Sequence, residues 1–516
     1  MKDERIHKSL WTTTAPGREF PALAGDLAVD VVVVGGGIAG LTTALLLKRA
    51  GKKVAVLEMH RLLTGQTGQT TAHLTELLDT PYSTLISDFG EKGARMAASS
   101  SRAAIEQIAT LIDELGVDCG FQRVPMFRYA ETEDELRDLK EEIDAANEVG
   151  LLAKFTRDVP LPYPVKGALR LEDQAFFHPR RYLLAMAEQI DGQGSFVFED
   201  TRVLEVHDGT PCRVVTQRGT VTARDVVEAT TTPLNRLFMH TKLYPYRTYA
   251  VAAPLERALE AGLYYDSQDP YHYIRPQRVD GVDYLIVGGE DHKVGHEEET
   301  DKHFEALEAY TLRNFPVSKI THRWSGQVIE PADGLAYIGR NSASQHTWVA
   351  TGFSGTGMTW GTLSAMILSD LILGRQNPYA ALYEATRVKV KAGAKDFVQE
   401  NADVAFRFVV DRLSRPDARK LSEVAPGEGK ILEVDGQKVA VYREESGTCH
   451  AVSPVCTHVG CHVHWNNAER SWDCPCHGAR YSPTGKVLNG PAVKDLASKP
   501  LPAEASNSPT THGEKP

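Results

Sequence analysis

The stretch VDVVVVGGGIAGLTTALLLKRAGKKVAVLE, residues 29–58, constrains the fold more than any other part of the chain. A buried strand, a Gly-rich turn, an amphipathic helix and a second strand ending in an acid make one βαβ unit. Gly35 permits the tight turn, Gly37 lets the backbone approach a pyrophosphate, and Gly40 lets the helix pack closely on the strand. Ile38 and Ala39 open the helix, and a helix amino terminus favours phosphate. Glu58, eighteen residues after Gly40, is placed to accept hydrogen bonds from the ribose hydroxyls of an adenine dinucleotide. The unit alone does not separate FAD from NAD.

Three further segments favour FAD. RLLTGQTGQTTAHLT, residues 61–75, follows the acid directly, and Thr67, Thr70 and Thr71 sit where backbone amides can wrap a pyrophosphate and flavin. TARDVVEATTTPL, residues 222–234, reads as a strand and small-residue turn returning to the nucleotide unit. TWVATGFSGTGMTWGTLSAMILSDLILG, residues 347–374, gives a strand, a loop and a helix, preceded by DGLAYIGR at 333–340. Its loop residues Gly352, Ser354, Gly355, Thr356, Gly357 and Met358 suit the flavin O2 locus, where a helix dipole stabilises negative charge.

Together these segments resemble the glycine and D-amino acid oxidase family of FAD-dependent oxidoreductases, over roughly residues 25–378. FFHPRRYLLAMA (176–187), YHYIRPQRVDGVDYLIVGGED (271–291) and RWSGQVIEPADG (323–334) are similar to its substrate-domain landmarks. The resemblance implies a sheet roofing the flavin, with Tyr271, Tyr273 and Arg275 on one strand and Tyr273 and Arg275 sharing a face as substrate-facing candidates. Family members that oxidise D-amino acids or glycine carry an arginine where this chain has Val328. Unless Arg275 or Arg247 takes over, an amine becomes a more plausible substrate than a free α-amino acid. His73 reads as a hydrogen-bonding histidine rather than a covalent anchor for FAD.

Near the carboxy terminus, Cys456-Thr-His458 is followed after fifteen residues by Cys474-Pro-Cys-His477. Zinc sites usually combine C-x-x-C knuckles with H-x-x-x-H pairs, which this spacing fits poorly. VCTHVGCHVHW, CPCHGARYSPTG and Gly490-Pro491-Ala492 closely resemble the cluster and proline loops of Rieske proteins. The resemblance implies a [2Fe-2S] cluster with Cys456 and Cys474 on one iron and His458 and His477 on the other. It also implies a disulfide between Cys461 and Cys476 clamping the loops. Respiratory Rieske proteins donate hydrogen bonds to the cluster from a serine and a tyrosine, where this chain has Ala479 and Tyr481. A potential below the respiratory type is therefore expected. His462 and His464 read as solvated loop residues.

At 516 residues and 42% hydrophobic content the chain suits a globular enzyme of two or three folding units. The expected class is an α/β (α+β) flavoprotein: a Rossmann-type FAD-binding domain interleaved with a substrate-domain β-sheet, then a small all-β Rieske domain. The expected boundaries are an extension over 1–27, the FAD-dependent domain over 28–378, a helical connector over 379–420, the Rieske domain over 421–503 and a disordered tail over 504–516. Residues 394–413 predict a docking helix within the connector. Glu133–Val149 predicts a charged helix packing through Leu136, Leu139 and Ile143. His292, His296 and His303 read as a solvated loop, and Cys119 and Cys212 as buried structural thiols. A net charge of −11 with no basic stripe argues against nucleic acid. The absence of a long apolar run or an apolar leader predicts no transmembrane segment and a cytoplasmic protein.

The function expected is oxidation of a C–N bond in an amine or amino compound, with electrons leaving FADH2 singly for the cluster and then for an external acceptor. Two alternatives stand beside it. Electrons could enter through the cluster from an external donor and serve a reductase or oxygen-using enzyme, or the chain could be a redox sensor or carrier without turnover.

Overall fold

The computed structural model describes residues 7–234, 237–297, 299–388, 416–434 and 436–501. The predicted docking helix at 394–413 and the tail at 504–516 lie outside them. Among the described residues, a six-stranded sheet runs in the order 337–340, 347–351, 225–228, 31–34, 54–57, 196–198. Val31–Val34 and Val54–Leu57 are fully buried and pair in parallel, as uninterrupted Val and Leu runs dictate. The helices Ile38–Arg49 and Gly357–Ile372 cover one face, sharing a core through Ile38, Leu41, Leu45, Leu363 and Ile367.

A nine-stranded sheet forms the second layer, with Leu243–Pro254 between His322–Pro331 and Val282–Lys293, and His272–Val279 beyond. Its antiparallel register sets Tyr246 opposite Val328 and Tyr273 opposite Gly288. The chain is thus a mixed α/β fold of two sheets with helices packed on them. Leu136, Leu139 and Ile143 on Glu133–Glu148 are buried, as their spacing predicts.

The solvated-loop reading of His292 and His303 is corrected. The strand continues to Lys293, and the helix Asp301–Asn314 packs back on it, stacking the two imidazoles 4.5 Å apart, with His303 5.2 Å from the Tyr249 ring. His462 is likewise buried rather than solvated.

Among the described residues from Gly429 on, every regular element is a β-strand. A three-stranded sheet and a four-stranded sheet close on Val463, Trp472, Tyr481 and Val487. This unit docks directly on the larger one: Thr300 Oγ1 donates to Asn466 Oδ1 at 2.9 Å and accepts from the Ala468 amide at 3.0 Å. Arg202 pairs with Asp495 at 2.8 Å. Among the described residues no helix is long and apolar enough to cross a membrane.

Candidate functional site: a nucleotide cavity beside a Cys and His cluster

A cavity of about 550 Å³ runs between the two sheets of the larger unit. Its floor is the βαβ turn. Gly35 has φ +106°, and a Cβ on Gly40 would fall 2.0 Å from the Gly35 carbonyl oxygen, so both positions require glycine. Thr67 Oγ1 accepts the Ile38 amide at 3.1 Å, tying the wrapping segment to the helix start. The Glu58 carboxylate accepts the Gly36 and His60 amides, each at 2.9 Å, and lines the cavity. Thr70, Thr71, Gly37, Ala39, Gly352, Ser354, Gly355, Thr356, Gly357 and Met358 line the same cavity, whereas Gly40 lies behind its wall. A floor without side chains, a helix amino terminus and a fixed acid fit an adenine dinucleotide.

The amino-terminal segment holds the wrap in place. Ser9 donates to the Gly68 carbonyl and the Trp11 indole to the Thr70 carbonyl, both at 2.6 Å. Arg275 belongs to this support and departs from its expected place. It is fully buried, donates to the Thr71 carbonyl at 2.6 Å and the Phe177 carbonyl at 3.2 Å, and lies over the Trp11 ring. The β-strand period does place it two residues from Tyr273, but Tyr273 lines the cavity and Arg275 does not. Arg247 is also outside the cavity wall, donating to Ser325 at 2.5 Å. Neither arginine replaces the missing one at Val328, which does line the cavity.

The roof of the cavity, on the side of the nine-stranded sheet, is aromatic and acidic. Tyr265, Tyr271 and Tyr273 line it with His73, whose ring lies 5.2 Å from Tyr265 and 5.7 Å from Tyr273. Burial, with help from Arg275, pushes His73 well below its usual range, so the imidazole is neutral. Its Nδ1 lies 3.0 Å from Thr71 Oγ1. Asp79 and Asp291 also line the roof; Asp79 accepts the Gly355 amide at 2.5 Å. Burial pushes Asp291 up to about 7.

The four ligand candidates of the carboxy-terminal unit converge. The His458 and His477 rings lie 5.0 Å apart, and Cys456 and Cys474 are buried beside them. Both His458 nitrogens and His477 Nδ1 are buried without a partner among the described residues, and burial lowers these histidines to about 4 and about 3. Neutral imidazoles with open lone pairs beside two thiols fit two irons. Cys461 and Cys476 form a disulfide with Cα atoms 6.6 Å apart, and the Cys474 sulfur lies within 4.8 Å of both its sulfurs.

The two sites share a wall. Gln327 lines the nucleotide cavity and donates from Nε2 to the Gly478 carbonyl, next to His477, at 3.0 Å. His240 sits 4.7 Å from the His458 ring and 5.4 Å from the His477 ring, donating to the Pro233 carbonyl at 2.7 Å. Sequence reasoning missed His240, Gln327, Asp79 and Asp291. Asp291 stands two residues after Gly289 in a recognisable landmark, but nothing local marks His240.

The family described as FAD dependent oxidoreductase (DAO) matches residues 30–371, and the Rieske [2Fe-2S] domain family matches residues 415–500. Over 494 residues, 95% of this chain and 97% of the other, the sequence is 33% identical to YhfW of Bacillus subtilis (strain 168), named for a Rieske 2Fe-2S centre. It is 26% identical over 377 residues to the gamma-glutamylputrescine oxidoreductase of Escherichia coli (strain K12), covering 69% of this chain and 86% of that one. The structure superposes on glycine oxidase from Geobacillus kaustophilus with a TM-score of 0.62 at 19% identity, covering 70% of this chain and 99% of that one, a likeness of fold.

Proposed function

The chain belongs to the FAD dependent oxidoreductase (DAO) family and carries a C-terminal Rieske [2Fe-2S] domain, and from that premise we propose that it oxidises a C–N bond of an amine or amino compound and sends the electrons singly through the cluster to an external acceptor. When bound, FAD supplies a two-electron acceptor for hydride and the cluster a one-electron carrier. The residues that would hold the dinucleotide are Gly35, Gly37, Glu58, Thr67 and the loop 352–358; Cys456, His458, Cys474 and His477 would hold the irons.

The observation that carries the reading is the shared wall. Gln327 touches both the cavity and the loop of His477, and His240 packs on both imidazole ligands, so one layer of side chains separates the two sites. The roof residues Tyr265, Tyr271 and Tyr273 would shield a bound substrate from water, and neutral His73 adds no charge there. The relative named as a gamma-glutamylputrescine oxidoreductase supports an amine substrate. A cytoplasmic location belongs to the same proposal.

Anaerobic addition of a substrate amine to the holoprotein tests it. Flavin absorbance should bleach first, followed by growth of the reduced-cluster electron paramagnetic resonance signal. A cluster that stays oxidised while the flavin is fully reduced rules out the internal relay.

A further inference from the structure

Among the described residues, one carboxylate in the roof of the flavin cavity, Asp291, has no salt bridge. Asp291 lines the cavity, and its Oδ1 is sealed from solvent without a hydrogen-bond partner among the described residues. The groups acting on it are Thr248, Asp79, Glu290 and His272. Of these, His272 is already committed to Asp266 at 2.7 Å and lies 3.6 Å from Glu290. Arg128, the charged wall residue on this side, acts on Asp79 instead. Arg202, the other arginine of the wall, pairs with Asp495.

Two tyrosines of the same cavity wall lie near that carboxylate. Tyr271 and Tyr273, rings 5.7 Å apart, both feel its charge. The Tyr273 hydroxyl is tied to Thr248 Oγ1 at 2.6 Å, which fixes the ring, and Tyr265 and His73 close the same corner. A buried carboxylate without a counter-ion costs free energy, and π-faces attract cations most strongly where water is excluded. An anion beside Asp291 would be repelled by Asp291 and Asp79.

We propose that Asp291, flanked by Tyr271 and Tyr273, is the counter-ion of the substrate's ammonium group, and that this corner selects a cationic aliphatic amine over a carboxylate-bearing one. Val328 removes the usual carboxylate anchor, and Asp291 supplies an ammonium anchor on the same roof. The inference rests on the cavity being the flavin and amine site, but not on electrons reaching the cluster.

The test is equilibrium binding to the oxidised holoprotein, read as a perturbation of the flavin spectrum. The probes are tert-butylamine, tert-butanol and pivalate, nearly equal in shape, and the amine has no hydrogen on the carbon beside nitrogen, so it cannot be oxidised. At about pH 8 the amine is protonated. The expected result is that wild-type protein binds the ammonium at least tenfold more tightly than the alcohol or pivalate. Asp291→Asn should lose about 30-fold or more of that affinity while leaving tert-butanol unchanged, and Asp291→Glu should retain part of it. Any other ranking of the three probes on wild-type protein overturns the proposal, whether or not the variant folds. So does an Asp291→Asn protein that holds flavin and binds the ammonium as wild type does. Failure of the relay with this ranking intact would leave the ammonium site standing.

Discussion

The Arg247 guanidinium lies 3.4 Å from the Glu469 carboxylate, and the two side chains, from different folding units, are both almost completely buried. Arg480 lies 3.6 Å from the same carboxylate and pairs with Asp473 at 3.0 Å, so two cations and two anions meet at the junction. Removing one buried partner leaves an uncompensated charge. Glu469→Gln should therefore destabilise the protein by about 3 kcal/mol, seen as a lower thermal unfolding midpoint, whereas the paired change Arg247→Met with Glu469→Leu should cost far less. Equal losses in both variants would mean that the ion pair does not set the docking.

His240 tests the route between the two sites. His240→Ala removes the ring that packs on both cluster histidines and leaves a gap where contacts were. Flavin reduction by amine should proceed as in wild type, while the following reduction of the cluster slows by about tenfold, roughly 1.4 kcal/mol on its barrier. His240→Phe, which keeps a ring in the gap, should recover most of the rate. Stopped-flow absorbance resolves the two phases, and unchanged cluster reduction in the alanine variant excludes this route.

Much of this was legible in the sequence, for a physical reason. The βαβ unit and the cluster loops are local: Gly35, Gly37 and Glu58, or Cys456 and His458, do their work within a few turns of chain, so spacing alone exposes them. Arg275 shows where that stops. Its strand face was predictable, but whether the guanidinium reaches substrate or the Thr71 carbonyl depends on Trp11, which arrives from more than 250 positions away in sequence. Likewise the polar run around His292 and His303 reads as a loop until Tyr249 and the helix Asp301–Asn314 enclose it. His240 gains meaning only through docking of a separate folding unit.

Asp291 makes binding depend on pH with a definite sign. The groups that face it are Thr248, Asp79, Glu290, His272, Tyr271 and Tyr273, and burial first, then the neighbouring acids, raise it to about 7. Amine affinity should climb as pH rises through about 7 and fall again near the amine's own value of about 10. Because its folded value exceeds the ordinary value of about 3.9, Asp291's contribution to stability is complete below pH 3.9 and is lost as pH rises towards 7. Bound tert-butylammonium should offset that loss. Isothermal titration and thermal unfolding across this range check both statements, and Asp291→Asn should flatten the rising limb.

Tyr481 and Ala479 are expected to tune the cluster potential. The Tyr481 hydroxyl lies 3.2 Å from Cys456 Sγ and accepts the Thr457 amide at 3.1 Å. An iron-bound thiolate has no proton, so Tyr481 must be the donor in that contact. Thr457 Oγ1, also 3.1 Å from Tyr481, competes for the same proton, although its own hydrogen goes to the Lys494 carbonyl. A hydrogen bond to sulfur favours the reduced cluster, and one of about 1 kcal/mol is worth about 40 mV in a one-electron couple. Tyr481→Phe should lower the potential by about that amount. Ala479→Ser should raise it by a similar amount if its hydroxyl reaches a cluster sulfur, because the buried Ala479 methyl leaves no donor there. Redox titration followed by electron paramagnetic resonance measures both, and a potential unmoved by Tyr481→Phe would show that Thr457 holds the tyrosine proton instead.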